Sequence, residues 1–290
     1  MPIPPDLPVV DHHCHLSPAG EGVAAARRFR AAGGTHLFLA TQNYEPGVPR
    51  TLATYERQFA TTESLARRLR VEADVVAYPV LAPYPVDLVD AVSVLGEPGA
   101  TELHRSALDL AGRWVRERRA VALGEVGRPH FPVDEAVRRV ADAVLDHAFA
   151  VAKDCGCPAV VHAAELGAVE LAELSERAKR AGLSPDRVVK HYSRSRVLPE
   201  DRHGIVPSYL AKRELVRDVL SDPGPWFLET DFLDDPRRPG AVLDLTTVPR
   251  RARAISESSA DAAEALRGPF AESIERVYGW RPELVRTGVP

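Results

Sequence analysis

Six side chains able to bind a divalent cation fall at five places in this sequence, and each place closes a short apolar run. Asp11-His12-His13-Cys14-His15 follows Pro8-Val9-Val10, and Gly124-Glu125-Val126-Gly127 follows Ala122-Leu123. His162 ends Ala159-Val160-Val161, His191 ends Val188-Val189-Lys190, and Glu229-Thr230-Asp231 follows Phe227-Leu228. Alternate side chains of a strand share a face, so His13 and His15 are expected together, with His12 and Cys14 turned away. Asp11 is expected to share their inward parity, one layer deeper. Two imidazoles placed so can hold one metal, which points to metal-assisted chemistry. A histidine-rich turn or an affinity tag would carry the same letters, but neither would sit behind a strand-like leader and ahead of a helix signal. Taken singly, a strand-end histidine is commonly structural and a strand-end acid is commonly a helix N-cap. Their conjunction carries the argument, because four imidazoles and two carboxylates gathered without a cation would leave costly, poorly paired polar groups.

The gathering has to be done by the elements that carry them. Eight apolar, β-rich runs are visible: Val9-Asp11, Thr35-Thr41, Asp74-Leu81, Ala120-Val126, Pro158-His162, Arg187-His191, Gly204-Tyr209 and Trp226-Asp231. Amphipathic stretches separate them, at Gly22-Ala32, Tyr55-Glu72, Asp87-Arg119, Asp134-Lys153, Ala168-Ala181 and Lys212-Leu220, with Pro249-Tyr278 after the last run. Near-continuous hydrophobic strands, each followed by a helix, predict a parallel sheet with helices over it. Eight such units predict an α/β fold of the (β/α)8 TIM-barrel type, a single domain over residues 1–290. No Gly-x-Gly-x-x-Gly turn follows a strand, which argues against a dinucleotide-binding sheet. Active sites of these barrels form at the carboxyl ends of the strands, where the six side chains stand.

Composition is that of a globular protein, 45% hydrophobic and 27% charged. A net charge of −4 excludes the global basic field that drives non-specific nucleic-acid binding. No apolar run approaches the roughly 20 residues needed to span a bilayer. The N-terminus carries no secretory pattern and three cysteines are too few for a disulfide scaffold, so a cytoplasmic location is expected and no membrane partner. The oligomeric state is not legible.

In order and spacing, Asp11-x-His13-x-His15, Gly124-Glu125-Val126-Gly127, His162, His191 and Glu229-Thr230-Asp231 resemble the TatD-related metal-dependent hydrolases, a group of the amidohydrolase-like barrels. The resemblance runs from Val9 to the segment Phe270-Tyr278, which is similar to the family's C-terminal helix. It implies that His13, His15 and Asp231 hold one metal, that His162 and His191 hold a second, and that Glu125 bridges both. Two divalent ions are therefore expected, with Zn²⁺ foremost and Mn²⁺, Mg²⁺, Fe or Ni also compatible with the donors. Such a pair lowers the pKa of a shared water and stabilises charge on the attacked group. Asp231 and Glu125 are the expected catalytic residues, Asp231 as general base and later proton donor. Glu229 either orients the site or caps the following helix.

Departures from the family pattern bear on the substrate. Arg128-Pro129-His130 stands where DNA-degrading members carry Leu-Asp-Tyr, and is similar to a divergent, archaeal-type branch. Glu165 stands where an arginine able to hold phosphate is usual, and Tyr192-Ser193 replaces a Cys-Phe type pair. Arg128, His130 and Glu165 are the residues expected to meet substrate. Glu165 facing the pocket would repel a phosphodiester, and could instead select an amine or pair with Arg128. Compensating cations are available at Arg128, Arg194, Arg196, Arg237 and Arg238. Lys190 should point away from His191, and Cys14 outward into the core. The leading expectation is hydrolysis of a phosphoester, including DNA or nucleotide ends, with nucleic acid entering only as substrate. The competing expectation is a small amide, lactone or carboxylate metabolite. A non-catalytic scaffold on a decayed barrel is disfavoured, because decay strips ligands and all are present.

Overall fold

The computed structural model describes residues 3–235, 238, 240 and 242–284. The runs of branched and aromatic residues form β1 (Val10–His15), β2 (His36–Ala40), β3 (Val76–Leu81), β4 (Ala122–Gly127), β5 (Ala159–His162), β6 (Val188–Ser193), β7 (Val206–Leu210), β8 (Phe227–Glu229) and β9 (Phe232–Leu233). Every pairing is parallel, in the order β8-β7-β6-β5-β4-β3-β2-β1-β9. Only Thr230 and Asp231 separate β8 from β9, so the two edges of the sheet belong to one stretch of chain. The sheet therefore closes on itself. It is the expected (β/α)8 TIM barrel, with its eighth strand broken at Thr230-Asp231.

The helices are α1 (Val23–Ala31), α2 (Leu52–Ala73), α3 (Leu88–Arg116), α4 (Glu135–Cys155), α5 (Ala168–Arg180), α6 (Arg213–Val219), α7 (Thr247–Ser256), α8 (Ala260–Ala265) and α9 (Ser273–Tyr278). Helix α4 shows why they cover the sheet: Val137, Val140, Ala141, Val144, Leu145 and Ala148 recur at three- and four-residue spacing and are all buried. One amphipathic stretch is not a continuous helix. Helix α3 breaks at Gly96, where φ is +69°, just ahead of Pro98, which has no N–H to donate. The stretch after the last run resolves into α7, α8, a π-helical turn at Gly268–Glu272 and α9. No helix among the described residues is long and apolar enough to cross a membrane.

Apolar side chains pack in two layers. Leu37, Leu39, Leu123, Val161 and Val188 face the helices, whereas Phe38, Val80, Val160, Val189, Val206 and Phe227 fill the barrel. Phe270, Ile274, Val277 and Tyr278 join the interior cluster, so the C-terminal segment seals the barrel. Fully burying each such side chain contributes on the order of 1.5–3 kcal/mol, which lets the fold carry a polar upper layer.

Strict alternation fails on three strands. From Asp11 to Cys14, β1 advances three residues while β2 advances two. From Gly124 to Val126, β4 advances two against one on β5, and from Lys190 to Ser193, β6 advances three against two on β7. An extra residue of this kind re-aims the side chains around it.

Candidate metal centre

The bulge in β1 corrects the expected facing of His12. Rather than turning away, His12 lies inside the barrel, stacked on Phe227 with ring centroids 3.8 Å apart and its Nε2 2.8 Å from the Tyr278 hydroxyl. Burial drives its pKa well below the usual imidazole range, so it is neutral. His13, the next residue, also points inward. Asp11 does not share that inward parity: it sits at the seam with β8, accepting hydrogen bonds from Thr230 N (3.0 Å), Thr230 Oγ1 (2.6 Å) and His13 N (3.2 Å). Burial pushes its carboxyl up to about 7 against those bonds. Cys14 packs outward beside Leu37 and Leu39.

Glu125 occupies the β4 bulge at the centre of the strand tips. Its Oε1 lies 2.8 Å from His13 Nε2, 3.1 Å from His191 Nε2 and 3.5 Å from His15 Nε2, and its Oε2 lies 3.5 Å from His162 Nδ1. Asp231 Oδ1 approaches His15 Nε2 at 3.6 Å and His13 Nε2 at 3.8 Å. The strand break presents it: Asp231 has φ of +50° and donates its N–H to the His13 carbonyl at 2.9 Å. Three overlapping groups result among the described residues, His13-His15-Glu125-Asp231, Glu125-His162-His191 and His13-His191-Glu229, each with donor atoms within 4.8 Å of one another.

These residues fit divalent metal. His13 Nε2 faces His15 Nε2 at 3.2 Å and His162 Nδ1 faces His191 Nε2 at 3.1 Å, so imidazole nitrogens crowd points that carboxylate oxygens also approach. Buried Glu125 Oε2 has no hydrogen-bond donor among the described residues. Burial disfavours a charged His15, yet Asp231 and Glu125 outweigh it and hold this imidazole up to about 10. His191 shifts the other way, held well below the usual imidazole range by burial and by His13, which leaves it a neutral donor.

Buried carboxylates support the cluster from behind. Glu229 accepts the Tyr192 N–H at 2.6 Å and lies 3.5 Å from His191 Nδ1, with its pKa raised well above normal by burial and by the Asp231 charge. It orients this tip rather than capping a helix. Lys190 faces away from the cluster, as expected, and donates to the His191 carbonyl. Asp234, which the sequence reading passed over, accepts from Ser17 N (2.9 Å), Glu21 N (2.8 Å) and Gly22 N (2.8 Å), tying the loop after β9 to the loop after β1. Its spacing of three from Asp231, across the short β9, was the available signal.

A cavity of about 760 Å³ opens over the cluster. His130 lines it, with Nδ1 2.9 Å from His162 Nε2. Glu165 lines it too, but pairs with the backbone of Arg194 and Ser195. Arg128 is carried out of the cavity, because its backbone N–H is bound to the His162 carbonyl and its guanidinium reaches Asp142 (2.6 Å) and Glu173 (3.1 Å) on α4 and α5. The expected substrate contact of Arg128 and its pairing with Glu165 are both corrected by this. Arg196 is likewise engaged, by Asp222, and Arg237 lies outside the described residues. Tyr84, Tyr192, Gln42 and Arg194 line the cavity; of these, sequence reasoning had singled out only Arg194 as a cation.

A closed parallel barrel with histidines and acids at its carboxyl tips defines the class of metal-dependent barrel hydrolases. The sequence matches the family of TatD-related DNases over residues 10–279, and the chain belongs to that family of metal-dependent hydrolases. It is 33% identical over 291 residues to an uncharacterized protein of Methanocaldococcus jannaschii, an alignment covering 98% of this chain and all of the relative. Among solved structures it is similar in fold to a TatD homolog from Escherichia coli, with a TM-score of 0.62 and 20% identity over 93% of this chain and 98% of that one. It is also similar to a phosphotriesterase-like lactonase variant from Deinococcus radiodurans, with a TM-score of 0.56 and 13% identity over 94% and 96% of the two chains.

Proposed function

We propose that the protein is a dinuclear hydrolase that uses water to cleave a phosphoester. In this reading His13, His15 and Asp231 hold one cation, His162 and His191 hold the other, and Glu125 bridges them. The observation that carries it is Glu125, with four imidazole nitrogens 2.8–3.5 Å from its two oxygens. Held by these residues, divalent cations would supply Lewis acidity and a water of lowered pKa. Division of labour between the carboxylates follows from exposure. The Glu125 side chain is 2% exposed and hemmed in by imidazoles, so it holds position. The Asp231 side chain is 16% exposed and borders the cavity, so it takes the proton of the attacking water and returns it to the leaving group. His130, against His162 Nε2, fixes the tilt of that ring at the cavity wall.

A second reading, hydrolysis of a small amide, lactone or carboxylate-bearing metabolite, is favoured by the cavity's charge. Arg128 is turned away, and the lining contains Glu165, Asp234 and Asp235 beside only Arg194 and Arg238 among described guanidinium groups. The test is elemental analysis for metal, followed by turnover of bis(p-nitrophenyl) phosphate, short single-stranded DNA and a lactone panel. About two equivalents of metal and diester turnover lost in Glu125→Gln support the phosphoester reading. Metal with lactone but not diester turnover selects the second, and protein that binds no added metal overturns both.

A further inference from the structure

We propose that Arg194 is the residue that recognises an anionic group of the substrate, a carboxylate or phosphate carried away from the scissile bond, and that Glu165 is its positioning residue. The inference rests on the hydrolase reading above and adds to it a second point of attachment. Glu165 follows the β5 tip, yet its carboxylate does not face the cavity as a bare charge. It accepts from Arg194 N at 3.2 Å and Ser195 N at 3.1 Å, and meets Arg194 Nε at 3.4 Å. These contacts engage its lone pairs on the loop after β6 and pin that loop against the loop after β5.

What the clamp presents is the outer edge of the Arg194 guanidinium. Arg194 lines the cavity, and its terminal nitrogens donate no hydrogen bond to protein among the described residues. Its Cζ lies 5.8 Å from the centroid of the Tyr192 ring, which also lines the cavity. Tyr192 is held there in a left-handed conformation, φ +59°, by the buried Glu229 that accepts its N–H. A side chain as bulky as tyrosine rarely adopts that conformation, and the β6 bulge and Glu229 together enforce it. The result is a forked donor beside an aromatic ring in the lining of the same cavity, with Glu165 holding the arginine and Glu229 the tyrosine. Such a fork matches a carboxylate or phosphate. Among the described loop arginines, Arg128 and Arg196 are bound elsewhere, and Arg238, which also lines the cavity, has its Nε 3.5 Å from Asp235 of its own loop, whereas Arg194 is held from the separate loop after β5.

The experiment is isothermal titration calorimetry on metal-loaded protein with three probes: methylphosphonate, 3-phosphonopropionate and 1,2-ethylenediphosphonate. All three offer the same head group, and the last two add a carboxylate or a second phosphonate tail. Wild type is expected to bind at least one tailed probe about 10-fold more tightly than methylphosphonate, and the preferred tail tells carboxylate from phosphate. In Arg194→Gln that preference disappears while methylphosphonate affinity is unchanged. Arg194→Lys keeps part of it, and Glu165→Ala loses it through the loop. Arg194 is half exposed, so its substitution leaves the fold intact. Equal binding of all probes by wild type, or a preference that survives in Arg194→Gln, overturns the inference and leaves the hydrolase reading standing. Failure of metal-loaded wild type to bind even methylphosphonate overturns the hydrolase reading, and this one with it.

Discussion

Gly127→Ala should damage the centre without touching a candidate ligand. Gly127 pairs with His162 across β4 and β5 at a φ of +135°, a region that side chains other than glycine rarely enter. A methyl group there would lie 2.1 Å from the His162 carbonyl oxygen, against the 3.0 Å below which such contacts essentially never occur. The two strand tips must therefore part by about 1 Å, and the Arg128 N–H bond to the same carbonyl, 3.0 Å long, goes with them. Backbone strain costs about 1–3 kcal/mol, and the overpacked contact with its lost hydrogen bond costs a similar amount, so stability should fall by about 2–6 kcal/mol. Glu125 is two residues before Gly127, and its Oε2 is 3.5 Å from His162 Nδ1, so a 1 Å parting misplaces the second group of donors. Affinity for one of two metals should drop about 10- to 100-fold, as when supporting contacts around a metal are lost. Guanidinium unfolding and chelator-competition metal titration read the two effects separately. Gly124→Ala is the comparison: its methyl would lie 2.7 Å from Val160 Cβ and 2.8 Å from Val80 Cγ1, side-chain clashes inside the barrel rather than one with the His162 backbone, so it should cost stability without parting the two strand tips at His162. Two metals bound at wild-type affinity in Gly127→Ala, with an unchanged unfolding midpoint, would refute the claim that this contact sets the donor geometry.

Three further outcomes follow from buried polar groups. His12→Phe leaves the Tyr278 hydroxyl unpaired in the barrel and should cost about 1–3 kcal/mol, as should Tyr278→Phe, whereas the double variant recovers most of the loss. Metal content should stay at the wild-type value in all three, and loss of a metal on replacing His12 would contradict its placement below the donors. Glu229→Ala removes the acceptor for Tyr192 N and the neighbour of His191 Nδ1, and should weaken one metal about 10- to 100-fold in the same titration. Burial raises Asp87 to about 7 from 3.8, so between those values the folded protein keeps a proton that the unfolded chain has released. Stability contributed there falls as pH rises from about 4 to about 7, by at most about 4 kcal/mol, and changes no further above that. Unfolding midpoints at pH 5 and pH 8 should differ less in Asp87→Asn than in wild type, and an identical pH dependence in both would sink the assignment.

The barrel was legible because its strands are buried on both faces and so read as unbroken apolar runs, such as Ala159-Val160-Val161 and Val188-Val189. The break at Thr230-Asp231 was not, since Asp231 takes a left-handed backbone only because β1 offers it the His13 carbonyl. Nor was the direction of Arg128, which was judged by nearness in sequence to Glu125. Its partners, Asp142 and Glu173, lie 14 and 45 residues away. Glu165 could be read only as a charge, because the N–H groups that engage it belong to a loop about 30 residues further on.

The facing of β1 has a more general cause. A regular strand cannot send His12, His13 and His15 to the same side, since its side chains alternate. The lower barrel needs an inward group at 12, where Phe38, Phe227 and Tyr278 form an aromatic plug. The upper barrel needs inward groups at 13 and 15, and one parity cannot serve both layers. An extra residue between Asp11 and Cys14 shifts the phase, and a ladder position is lost where the layers meet. The same solution recurs at Glu125, which follows an inward Gly124, and beyond His191, where the shift throws Tyr192 toward the cavity. In each case the irregularity falls at the boundary between a packed apolar floor and a polar site. A period-two reading should therefore fail in barrels of this kind where an apolar layer gives way to side chains that do chemistry. Two like-facing candidates in succession, such as His12-His13, then signal a bulge rather than a choice between them.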